Sequence, residues 1–89
     1  MNEHYRFLED ELKSLISSPV DWLSDTERQD VVEFIDVDEY GLAYEALRYI
    51  IIQRNKTLSP ESHRRLVALA RKMGMSEDAW AGLSAHVRD

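Results

Sequence analysis

Three carboxylates fall within four residues at Asp36, Asp38 and Glu39, in the run DVDEYGLAYEAL, at the mouth of the most apolar stretch of the chain. Carboxylates at that density can serve as an acid and base pair, cap a helix, or meet a basic partner. Catalysis needs company that the sequence does not supply. There is no cysteine, no glycine-rich phosphate loop, and no nucleophile with its base and oxyanion donors. His4, His63 and His86 are scattered, without the spacing of metal ligands, and read as ordinary side chains. No enzymatic activity, metal or cofactor is therefore expected. The absence of cysteine also removes disulfides and fits a reducing compartment. The acidic opening and the lack of a long apolar run argue against a signal peptide or membrane span, so the expected location is cytoplasmic.

The elements that must position these acids read as helices. Tyr5, Leu8, Leu12, Leu15 and Ile16 share one face at 3.6 residues per turn, and Pro19 closes that first helix. Ser24 and Glu27 form a capping box for a second helix, with Val31, Val32, Phe34 and Ile35 inward, ending near Asp36. Asp38 reads as the N-cap of the third, with Glu39 in its first turn. There Leu42, Ala43, Ala46, Leu47, Ile50 and Ile51 form a stripe while Tyr40, Tyr44, Tyr49 and Ile52 fill much of the remainder, as in a central helix. Gly41 reads as a place of close packing.

Ser59-Pro60 starts a fourth helix carrying Leu66, Leu69, Ala70 and Met73, Gly74 stops it, and Ser76 caps a short last helix with Ala79, Trp80, Leu83 and Val87 inward. The expectation is one all-α domain over residues 1–89, a compact bundle of four to five helices with a helix-turn-helix-like corner near the C-terminus. That corner, ALARKMGMSEDAWAGL, is a poor DNA reader. Its second helix opens Ser76-Glu-Asp and would turn carboxylates toward phosphates.

The net charge of −6 is unevenly spread: residues 1–45 hold 13 acids against three bases, and residues 46–89 hold 4 acids against 8 bases. Opposite-signed halves can attract each other across a fold, or one half can present an acidic face to a basic partner.

The run EFIDVDEYGLAYEALRYII, continued by LSPESHRRLVALARKMGMSEDAW, resembles the MafI-type immunity proteins of bacterial polymorphic toxin and contact-dependent growth inhibition systems. The resemblance is carried by Glu39-Tyr40-Gly41-Leu42-Ala43 with Glu45 and Leu47, the turn at Ser59, and the Ala-rich helix ending at Met73-Gly74. It implies a cytoplasmic protein that binds the C-terminal domain of a cognate toxin, often a nuclease, and neutralises it one to one. A nuclease cleft is basic, and an inhibitor can fill it with carboxylates in place of phosphates. The resemblance and the charge together point to Asp30, Glu33, Asp36, Asp38 and Glu39 as toxin-binding residues, with Tyr40 or Tyr44 as an aromatic anchor if either ring is exposed. Glu45 is a weaker candidate, because Arg48, three residues on, can pair with it. The free protein is expected to be a monomer or weak homodimer that binds neither membrane nor nucleic acid. The rival readings are a regulatory module binding nucleic acid through Arg64, Arg65, Arg71 and Lys72, and a helical adaptor that self-associates through the ring of Tyr40, Tyr44, Tyr49 and Ile52.

Overall fold

The computed structural model describes residues 3–17 and 22–88. It is all-α: α1 (Glu3–Ile16), α2 (Asp25–Asp36), α3 (Tyr40–Gln53) and α4 (Pro60–Lys72) are followed by two short 3₁₀ turns, Glu77–Ala79 and Leu83–His86. The helix expected to follow Gly74 is thus a pair of 3₁₀ turns, parted by Gly82 in a left-handed conformation (φ 84°). Pro19, expected to close α1, lies outside the described residues.

α3 is the central element, packing on α2, on α1 and on the second 3₁₀ turn, while α1 also meets α2 and α4. Its buried face differs from the expected stripe. Tyr40, Ala43, Tyr44, Leu47, Ile50 and Ile51 point inward, and Leu42 stays 44% exposed. The tyrosines can be buried because their polar tips are satisfied; Tyr44 Oη donates to the carbonyl of Leu66 at 2.8 Å, tying α3 to α4. Tyr5 is a second departure. Expected inward, it is 51% exposed, and Leu8, Leu12, Leu15 and Ile16 alone carry the buried face of α1.

Helix starts follow the sequence at two sites. Ser24 and Glu27 exchange hydrogen bonds as a capping box, and Ser59 Oγ accepts from the Ser62 N–H ahead of Pro60 in the first turn. The α2–α3 corner corrects the third. Asp38 does not cap α3; it has φ 61°, its N–H donates to the Ile35 carbonyl and the Glu39 N–H donates to the Phe34 carbonyl. That pair of bonds is a Schellman closure of α2, with Asp38 in the position glycine usually fills. Glu39 becomes the N-cap residue of α3 and makes no side-chain capping bond. The same closure recurs at Asn55 after α3 and at Gly74 after α4. Asp and Asn tolerate the left-handed region better than other side-chain-bearing residues, which is why one motif is spelled three ways.

The last residues return to the bundle as a single parallel bridge. The Leu58 N–H donates to the His86 carbonyl and the Arg88 N–H to the Leu58 carbonyl, so the loop between α3 and α4 holds the C-terminal segment.

Candidate protein-binding surface

Along α2, Val31 and Ile35 face the core, and the opposite side carries Thr26, Gln29, Asp30, Glu33, Asp36 and, just past the helix, Val37, all exposed. Helical spacing puts Asp30, Glu33 and Asp36 three residues apart on that outward side. Asp38 and Glu39 extend it round the corner and are exposed too. The five carboxylates expected as a binding set thus occupy one helix and its closing turn. Among the described residues no ion pair engages any of them. Asp38 accepts one hydrogen bond, from Tyr40 Oη at 3.1 Å.

The cations are committed elsewhere. Glu9 takes Lys13, Asp25 takes Arg28, Glu61 takes Arg64 and Glu11 takes Arg65, the last at 2.7 Å. Arg71 lies over the Trp80 ring and Lys72 over the Phe7 ring, each at 5.4 Å. The four residues of the nucleic-acid reading, Arg64, Arg65, Arg71 and Lys72, each therefore have a partner within the fold. Arg48 also departs from expectation: its Nε and Nη2 both donate to the Ala81 carbonyl, at 3.2 and 2.8 Å, and no ion pair joins it to Glu45. Glu45 is exposed and returns to the set of available acids.

The condition attached to the aromatic anchors is not met. Tyr40 is 5% and Tyr44 1% exposed, so both rings belong to the core. Burial pushes the Tyr40 hydroxyl up to about 12, helped by its hydrogen bond to Asp38 and the nearby charges of Asp38 and Glu9. Burial likewise raises Tyr44 to about 12, against a lowering pull from Arg48. Both hydroxyls stay protonated donors at any physiological pH. Their burial also leaves the self-association ring with only Tyr49 fully outward and Ile52 half-buried. The exposed aromatic at the corner is Tyr5, whose ring lies 6.1 Å from that of Tyr40. It was missed because its spacing with Leu8 and Leu12 fits the buried face, and the helix end lets the ring swing outward.

One acid is used in quite another way. Glu27 is 2% exposed and receives the Ser24 N–H, Arg54 Nη1 at 2.7 Å and Lys56 Nζ at 2.9 Å. Burial alone would raise its pKa, but the Ser24 hydrogen bond and the bonds from Lys56 and Arg54 outweigh it and hold the carboxyl at about 2. The spacing revealed the cap but not the two cations, which come from 27 and 29 residues along the chain.

Among the described residues no three His, Asp or Glu side chains gather as a metal site would require, and no helix is long and apolar enough to cross a membrane. Comparison with known protein families, curated proteins and solved structures finds nothing that matches this chain.

Proposed function

We propose that the chain is a protein-binding domain that captures a basic partner on the outward acids of α2 and the α2–α3 corner. On the resemblance of its central run, the partner is the C-terminal domain of a bacterial toxin, held one to one and silenced in the cytoplasm, with no chemistry performed by the inhibitor. A nuclease domain suits this surface best, because carboxylates then stand where substrate phosphates would bind. The observation that carries the reading is the imbalance of pairing. Among the described residues Asp30, Glu33, Asp36, Asp38 and Glu39 are exposed without ion pairs, while most of the cations lie beside a carboxylate or an aromatic ring of the same chain. An acidic face of this kind steers a basic partner and speeds its association at low salt.

The test is to isolate the partner by co-purification, show that it halts growth when expressed alone, and measure its binding to purified protein. Wild type should restore growth and bind at one to one. Asp30→Lys with Glu33→Lys should weaken binding at least tenfold and abolish protection. Unchanged affinity and protection in that double variant would remove α2 from the interface.

A further inference from the structure

An open groove of about 680 Å³ lies between the outward side of α3 and the first 3₁₀ turn, away from the buried face of the bundle. Its apolar lining comes from Tyr49 and Ile52 on one wall and Met75 and Ala79 on the other. Tyr49 is 63% exposed, an outward aromatic of the type that dominates binding energy at protein interfaces. Leu42 continues the apolar line seven residues earlier on the same side of α3 and is exposed as well. Met75 closes the far end: its Cε would sit 3.7 Å from a Cβ on Gly41, and its flexible thioether can repack around differing shapes.

The charges at the rim choose the occupant. Glu45 rises from α3 and Asp78 from the 3₁₀ turn, both exposed and, among the described residues, without an ion pair. Arg48 is the cation of the lining, and its guanidinium is already bonded to the Ala81 carbonyl, where it pins the 3₁₀ segment and so holds the wall in place. The groove thus has an apolar floor, a rim left net negative by one carboxylate on each wall against the single charge of Arg48, and a volume within the roughly 300–1,000 Å³ of ordinary binding clefts.

We propose that this groove receives a short extended segment of the partner protein, an apolar side chain on the floor and a lysine or arginine reaching Glu45 and Asp78. The inference rests on the reading of the partner as a basic protein and gives it a second contact, on a different element from the α2 acids. A wide acidic face supplies steering, whereas a groove that selects an apolar residue beside a cation supplies discrimination among basic proteins.

The test uses the isotope-labelled full chain titrated with acetyl-Arg-Leu-Lys-Leu-Arg-amide, and with the same peptide carrying Glu in place of each base. The basic peptide should shift the amides of Glu45, Tyr49 and Met75 to Ala79 saturably, and bind at least tenfold tighter than the acidic one. Tyr49→Ala, and Glu45→Lys with Asp78→Lys, should each weaken it at least tenfold while amides elsewhere stay unmoved. Shifts centred on Asp30, Glu33 and Asp36 with the groove silent would overturn the groove and leave the basic-partner reading standing. Equal binding of both peptides, or no saturable shift, would also overturn it. Shifts at the groove on concentrating the protein alone would make a second copy the occupant and overturn it too. Groove-centred peptide binding combined with an isolated partner that is not basic would instead sink the function proposed above.

Discussion

At the scale of single residues, the side chain on which most depends is Glu27. Its carboxylate joins the start of α2 to Arg54 at the end of α3 and Lys56 in the following loop, so one group fastens three parts of the chain. Because its folded pKa of about 2 lies below the 4.5 of a free glutamate, its contribution to stability is fully present above pH 4.5. That contribution is lost as pH falls from 4.5 toward 2. Glu27→Gln keeps the size and an acceptor for the Ser24 N–H but gives up the charge. It should cost about 1–3 kcal/mol in urea unfolding at pH 7, and its stability should vary less with pH between 4.5 and 2 than that of wild type. An equal acid dependence in the two proteins would move the acid-labile group elsewhere. Tyr44→Phe asks a simpler question: it removes the bond from α3 to the Leu66 carbonyl, which keeps its place in the α4 ladder, and should cost about 1 kcal/mol in the same measurement. The polarity of both residues was plain in the sequence, and their burial was not. A glutamate at the third position of a capping box is ordinarily a surface group, and only the return of residues 54 and 56 to the α2 start makes this one an anchor.

At the scale of elements, helix count, order and the two serine caps were legible because they rest on local rules of periodicity and hydrogen-bond supply. The phase of α3 was not. Leu42, Tyr40 and Tyr44 are all apolar enough to face inward, and the choice fell to the tyrosines once Leu66 and Asp38 could satisfy their hydroxyls. The corner at Asp38 was misread for a related reason: an acid between two helices suits either the end of one or the start of the next, and hydrogen bonding from the core of α2 decided for the end. These closures make predictions of their own. Asn55→Gly should stabilise the fold by about 0.5 kcal/mol, since φ 50° strains a side-chain-bearing residue and the strain outweighs the glycine's added freedom in the unfolded chain. Gly41 is the opposite case. Its nearest side-chain neighbour leaves ordinary contact distance for a methyl group, so Gly41→Ala should gain up to about 1 kcal/mol of helix propensity. Thermal melts of the two variants check both; a loss on Gly41→Ala would reveal a tighter packing role than Met75 imposes.

At the scale of the whole molecule, the charge asymmetry of the sequence does not resolve into two halves that neutralise one another. Cross-element pairs such as Glu11 with Arg65 and Glu27 with Arg54 consume the bases, and an acidic excess remains outside. The excess has a cost at α2, whose last turn contains Glu33 and Asp36 and no base, at the helix end where a cation would be favoured. Glu33→Lys replaces a like-charge neighbour of Asp30 and Asp36 with an opposite one and meets the negative end of the helix. It should raise stability by about 0.3–1 kcal/mol, and added salt, which screens the same repulsion, should stabilise wild type more than the variant. The function proposed for this face requires the reverse trend in binding: the same substitution should slow association with the basic partner, and salt should weaken wild-type binding more than that of the variant. Urea titrations at low and high ionic strength, beside association rates measured under the same conditions, place both trends on one residue. A lysine that improved the fold and left association unchanged would mean that the α2 acids are held for something other than meeting a partner.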